Sequence, residues 1–208
     1  GLWIPLAYIG GGGLCVRWIR DTLAGTDASV TYDRLAEEAA PLPPGSERLL
    51  FVPHFSGRVC PNDALVRGSF AGLSTRHGRA HLYRAVLESI GYEYALYDRI
   101  LRRSIGSDAQ EVYVIGGGAK SPLFNQIKSD VLGVRYTALS TADTGAWGAA
   151  IIAGHCVGLY PDMAETAERM VQKTQHYAPD PERHDAYARF AALYPELLTS
   201  LREVYRKL

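Results

Sequence analysis

The chain has no long run of one charge sign, no Cys-x-x-Cys or Cys/His pair at metal-site spacing, no internal repeat and no low-complexity segment. Its formal net charge is zero, with 22 basic and 22 acidic residues. That balance excludes a broad basic footprint for nucleic acid or a membrane surface and leaves small neutral or anionic substrates open. No apolar run reaches the roughly 20 residues that span a bilayer, and no basic-apolar leader opens the chain. Cys15, Cys60 and Cys156 are odd in number and widely spaced, so they read as small apolar fillers with reduced thiols in a cytoplasmic protein. The six histidines read as structural or solvated, and no nearby carboxylate completes a catalytic arrangement in sequence. A Gly-x-Ser-x-Gly elbow and a Gly-x-x-x-x-Gly-Lys-Ser/Thr loop are both missing, which argues against a serine hydrolase and a P-loop NTPase. The first residue is Gly1 rather than methionine, which points to an internal cut.

What is present suits one α/β domain, because 208 residues with 47% hydrophobic content can bury a single core. Leu2 to Ile9 is apolar and β-compatible, and Gly10 to Gly13 leads it into a helical stretch from Leu14 to Leu23. Tyr32 to Ala40 has helical spacing until Pro41-Leu-Pro-Pro-Gly45 stops it. Leu49 to Pro53 reads as a buried strand, Ser56 to Arg67 as a surface loop and Gly68 to Leu73 as a further strand. A helix from about Arg79 to Arg103 carries Leu82, Val86, Ile90, Tyr94, Tyr97 and Leu101 on one stripe. Val112 to Ile115 is a short strand; Ser121 as N-cap with Pro122 at the first helical position starts a helix running to Gly133. Val134 to Leu139 follows as a strand, then a small-residue helix from Thr144 to Val157 and a short one from Met163 to Val171. Phe190, Leu193, Leu197, Leu201 and Val204 mark a C-terminal helix that Pro195 should kink or divide. Alternating elements imply α/β with mixed sheet order.

The chemical feature within this frame is Gly116-Gly117-Gly118-Ala119-Lys120-Ser121, set between a strand and a helix. Glycine lets the backbone turn and approach a ligand closely, while free amides at the helix start face an anion or a polar purine edge. A tight connection with no ligand would look the same locally. A dinucleotide fingerprint would need a third glycine where Ser121 stands and a carboxylate at the end of the next strand; that strand ends Leu139-Ser-Thr141. Asn125 or Gln126 on the following helix could bond a base edge, since amides donate and accept, or could merely solvate the helix. In Thr144-Gly-Ala-Trp-Gly-Ala-Ala150, dense small residues fit tight helix-on-sheet packing. Read from the residues alone, the chemistry stops at a nucleotide-binding α/β domain.

Gly68-Ser-Phe-Ala-Gly-Leu73, followed at fixed spacing by His81-Leu-Tyr-Arg-Ala-Val-Leu-Glu88, resembles the C-terminal signature of the FGGY carbohydrate kinases. Gly13 to Asp21 is similar to the family segment after the hinge, Phe51 to Gly57 to its apolar strand and loop, and Gly116 to Gly133 to its adenosine-binding loop and helix. The resemblance implies an actin-like, ribonuclease-H-like α/β fold in which residues 1–208 form the C-terminal nucleotide-binding domain. Its partners would be ATP and ADP, and a sugar bound through an absent N-terminal domain, with a homodimer compatible. Magnesium would be ligated mainly by that missing domain, as would the general-base aspartate, so no catalytic residue is assigned here.

Carried over by position, Gly117, Gly118 and Ser121 would contact the adenosine, with Asn125 on the same helix, and Gly13 and Arg17 would sit near the phosphates. Ser121 stands where related glycerol kinases often have asparagine, and Arg17 replaces a residue often neutral. Arg58-Val59-Cys60-Pro61 replaces the usual Glu-Arg-Thr-Pro. The pattern, including the Tyr177 to Tyr187 tail, is most similar to xylulokinases and related pentulose kinases. The implied activity is transfer of the γ-phosphate of ATP to a sugar hydroxyl, with this piece alone inactive. A non-catalytic actin-like nucleotide switch or assembly module is the alternative.

Overall fold

A computed structural model describes residues 4–140 and 143–208. The organising element is the helix α3 (Arg79–Ile105), about 40 Å long at 1.5 Å per residue. Helices α1 (Gly12–Ala24) and α2 (Tyr32–Ala39), strand β1 (Leu50–Val52), and later α4 (Pro122–Leu132) and α7 (Pro181–Tyr205) all pack on it. This surround explains why α3 buries more than the expected stripe. Val86, Ile90 and Tyr97 are buried as the spacing predicts, but every residue from Tyr83 to Glu93 is buried too. Strand β2 (Ser69–Ala71) pairs antiparallel with β1, setting Phe51 opposite Phe70.

The second sheet is mixed. Strand β3 (Glu111–Val114) runs parallel to β4 (Arg135–Leu139), and β4 pairs antiparallel with β5 (Lys173–Tyr177). Between β3 and β4 lie the glycine turn Gly117–Lys120 and α4, a βαβ connection with the turn at the carboxyl end of β3. The remaining helices are α5 (Thr144–Cys156) and α6 (Met163–Met170). The α/β class with mixed sheet order is therefore as the sequence indicates. Among the described residues no helix is long and apolar enough to cross a membrane.

Polar groups share the core. Glu88, fully buried, accepts from Gly45 N (3.1 Å), Ser46 Oγ (2.9 Å), Arg84 Nε (2.8 Å) and Tyr187 OH (2.9 Å). These bonds clamp α7 and a turn in which Ser46, Glu47 and Arg48 all take left-handed φ values of 47°, 55° and 76°, a conformation costing roughly 1–2 kcal/mol per non-glycine residue. Five residues along α3, Glu93 pairs with His54 Nε2 and Arg58 Nη2, each at 3.0 Å. The Arg58 that departs from the family pattern is thus engaged inside the protein.

Several expectations need correction. Residues 4–9 of the expected Leu2 to Ile9 strand are not a strand: Ile4 is 90% exposed and Leu6 81%, and no described segment pairs with them. Apolar β-formers make a strand only where another edge accepts their backbone bonds. Leu2 and Trp3, and Thr141 at the end of the Leu139-Ser-Thr141 segment, lie outside the described residues. Pro195 does not divide α7, which continues to Tyr205; Tyr194 and Leu198 are buried on either side of it. The buried face of α7 is Tyr187, Phe190, Ala191, Tyr194 and Leu198, whereas Leu193 and Val204 are exposed. Strand β5 was not anticipated because its sequence, Lys-Thr-Gln-His-Tyr, buries only Tyr177 and so lacks an apolar alternation. Among the described residues, helix α5 has its main packing partner in a helix and not in a sheet. It contacts α6, and only Ile151 and Gly154 are buried.

Candidate functional site

Four separate parts of the chain converge on a cleft of about 610 Å³. One wall is the glycine turn and the start of α4, with Gly117, Gly118, Lys120, Ser121 and Phe124; the other is α1, through Gly13, Val16 and Arg17, and the first residues of α2. Tyr83 and Leu87 of α3 also line it. The site sits past the carboxyl end of a strand in a parallel pair, where α/β folds present the free amides of the following helix.

The turn is built by local chemistry. Gly116 has φ 77° and ψ −166°, a backbone state that a side chain disfavours. Gly117 and Gly118 are exposed, and a Cβ on Gly117 would meet nothing within 4 Å, so their lack of side chains leaves room on the ligand side. Ser121 ends the turn and caps α4: its hydroxyl accepts from Phe124 N at 3.3 Å, with Pro122 in the first helical turn. Replacing Ser121 with Ala should cost roughly 1 kcal/mol of stability, while Ser121→Asn keeps a capping oxygen and should cost little. Urea unfolding of the two variants checks this, and equal losses would count against a capping role.

Of the six residues named from sequence, Gly13, Arg17, Gly117, Gly118 and Ser121 line the cleft. Asn125 does not. It is fully buried, and its Nδ2 donates to the Ala119 carbonyl at 2.7 Å, so it braces the turn from behind and is not placed to bond a base edge. Gln126 is engaged with Asp130 Oδ1 and the Ala178 carbonyl. Behind the wall, Lys128 lies 4.3 Å from the Phe124 ring centroid and 5.4 Å from that of Tyr136. Burial pushes its amine down to about 8.

Sequence reasoning missed Thr31, Tyr32 and Asp33 at the start of α2, and Tyr83 on α3. The N-cap of α2, with Thr31 Oγ1 accepting from Arg34 N, is legible as a helix start; that it faces the glycine turn is not. Burial, with Tyr32 and Asp33 nearby, pushes the Tyr83 phenol up to about 12, so at neutral pH it is a hydroxyl able to donate. Charged side chains in the cleft are Arg17, Lys120 and Asp33, two cations and one carboxylate. Together they can hold an elongated anionic ligand with a polar, hydroxyl-bearing portion. Among the described residues no group of three or more His, Cys, Asp or Glu could hold a metal ion.

Comparison with known proteins agrees with this geometry. The xylulose kinase of Staphylococcus epidermidis is 30% identical over 92% of this chain and 38% of its own length. The glycerol kinase of Ralstonia pickettii is 33% identical over 86% of this chain and 35% of its own length. A crystal structure of gluconate kinase from Lactobacillus acidophilus superposes with a TM-score of 0.82 at 29% identity, covering 96% of this chain and 40% of that one. The chain therefore spans less than two fifths of the curated relatives named here. Residues 6–157 match the FGGY family of carbohydrate kinases, C-terminal domain; with the shared actin-like ATPase fold, the chain belongs to that family.

Proposed function

We propose that this chain is the ATP-binding half of a carbohydrate kinase that transfers the γ-phosphate of ATP to a hydroxyl of a pentulose such as xylulose. The observation that carries the nucleotide assignment is the convergence of Gly13, Arg17, Gly117, Gly118 and Ser121 on one cleft. The pentulose assignment is supported by similarity to a relative named xylulose kinase over 92% of the chain. Gly117, Gly118 and Ser121 are assigned to the adenosine, Gly13 and Arg17 to the phosphate side. Magnesium neutralises developing charge when bound in such reactions; its protein ligands are assigned mainly to the sugar-binding half.

The division of labour follows from the same facts. Phosphoryl transfer depends on holding nucleophile and γ-phosphate in line, with water excluded by closure. Here the cleft is open to solvent on the side away from α3, where Gly117, Gly118 and Lys120 are exposed. The exposed apolar residues Trp147 and Ile152 of α5 fit contact with further chain, which we assign to the sugar-binding half carrying the general-base aspartate. The free cysteines suit a reducing cytoplasm. Sugar-dependent ADP release by the intact protein, measured against pentuloses, hexuloses, glycerol and gluconate, tests the proposal. Highest kcat/KM with a pentulose is expected, and no turnover from residues 1–208 alone. Preference for glycerol or gluconate would overturn the pentulose assignment, and ATP binding without turnover on any sugar would favour a nucleotide switch.

A further inference from the structure

The cleft wall opposite the glycine turn carries polar groups that the nucleotide assignment above does not use. Asp33 is its one carboxylate, and among the described residues that carboxylate has no hydrogen-bond or ion-pair partner. Its own helix keeps it in place. Leu35 and Ala39 on the opposite face of α2 are fully buried, and the Thr31 cap fixes the first turn. Beside it stands Tyr83, 2% exposed, reaching the same cleft and likewise without a hydrogen-bond partner among the described residues. Its hydroxyl is not among the polar atoms closed off from solvent, so the phenol opens on the cleft, where a ligand atom can take its hydrogen bond.

We propose that Asp33 and Tyr83 read the ribose of the nucleotide, with the Asp33 carboxylate accepting from the 2′- and 3′-hydroxyls, and that Asp33 is thereby a specificity-determining residue for ribonucleotides. This rests on the ATP-binding reading of the cleft. The chemistry favours the sugar over the adenine base. An ionised carboxylate is acceptor-only, and a cis-diol offers two adjacent donors that satisfy both oxygens. The adenine amino group offers its donors beside ring nitrogens that are acceptors, so a carboxylate set there would face a lone pair. The free amides of the glycine turn, on the other wall, are better suited to those acceptors. Guanine is the one base edge presenting adjacent donors, and it supplies the competing outcome.

The test compares nucleotides on the intact protein by titration calorimetry. Wild type should bind ATP roughly ten- to hundredfold more tightly than 2′,3′-dideoxy-ATP, the range expected when hydrogen bonds to a charged group are lost. Asp33→Ala should weaken ATP by a similar factor and leave dideoxy-ATP almost unchanged, collapsing the ratio. Asp33→Asn, which keeps the shape of the side chain, should give an intermediate ratio, and it serves if Asp33→Ala does not fold. Tyr83→Phe should narrow the ratio by a smaller factor. Equal weakening of ATP and dideoxy-ATP in the Asp33 variants would overturn the ribose assignment, as would a changed preference between ATP and GTP with the dideoxy ratio intact. Failure of the wild-type protein to bind any nucleotide would instead bring down the underlying ATP reading, and this inference with it.

Discussion

Glu93→Gln is expected to destabilise the protein by roughly 3–5 kcal/mol, the range found when one partner of a buried ion pair is removed. Glu93 is fully buried and its two oxygens take His54 Nε2 and Arg58 Nη2, each at 3.0 Å. Glutamine keeps the volume but removes the charge, leaving the Arg58 guanidinium, 9% exposed, without a counter-charge. The comparison variant is Glu93→Leu combined with Arg58→Met. It replaces charge by apolar packing and should lose much less than Glu93→Gln, because buried pairs are weak stabilisers compared with well-packed hydrophobic residues. Urea midpoints with unchanged slopes measure both. A Glu93→Gln protein as stable as wild type would show that Arg58 finds another counter-charge or reaches water.

The same residue predicts a pH effect of definite sign. Burial by itself raises the Glu93 carboxyl, but its polar neighbours, His54 and Arg58 foremost with Tyr194, outweigh burial and hold it below the ordinary value of 4.5. The contribution is therefore present above about pH 4.5 and is lost as pH falls through the depressed folded value. Glu88 has the opposite sign: burial outweighs Arg84, Ser46 and Tyr187 and raises its carboxyl. Its ionised form costs stability at neutral pH, and that cost is relieved as pH falls through the raised value towards 4.5. Wild-type stability should thus fall most steeply below pH 4.5, and Glu93→Gln should flatten that limb while leaving the Glu88 contribution above it.

Gly118→Val should weaken ATP binding by roughly tenfold or more, which requires only about 1.4 kcal/mol, while the protein remains folded. A Cβ built at Gly118 meets only the Phe124 ring, at 3.5 Å, an ordinary van der Waals distance. Its backbone also lies outside the positive-φ set that holds Gly116. Nothing in the fold resists the added methyl groups, so they extend toward the open side of the turn. Gly118→Ala, with one carbon in place of three, should have a smaller effect in the same direction. Unchanged ATP affinity in a folded Gly118→Val protein would remove Gly118 from the binding surface and, with it, the adenosine assignment of the turn.

The glycine turn was legible because each of its causes acts over a few residues. Gly116 supplies a positive φ, Ser121 a capping oxygen three residues before Phe124 N, and Pro122 a preset first turn. Helix α3 was legible for a similar reason, since Val86, Ile90 and Tyr97 repeat at helical spacing. The resemblance carried by residues 68–88 then reached the family, which local chemistry alone did not.

Other features were decided only by contacts distant in sequence. Arg84 and Glu88 are ordinary charged helix positions by spacing, and they are buried because Gly45, Ser46 and Tyr187 come to them from 42 to 103 residues away. Asn125 has the donor and acceptor a base edge needs, but the fold buries the side chain, gives its Nδ2 to the Ala119 carbonyl and leaves its Oδ1 enclosed without a partner among the described residues. Residues 4–9 have the composition of a strand and no described edge to join, whereas the polar Lys173–Tyr177 becomes one because β4 offers its backbone. By itself the sequence determined the turn, the capped helix and the family signature, since φ preference, capping and periodicity are properties of neighbouring residues. Only the tertiary structure decided that Asp33 and Tyr83 line one cleft with that turn, because the packing of α1, α2 and α4 on α3 sets which side chains of separate segments come together.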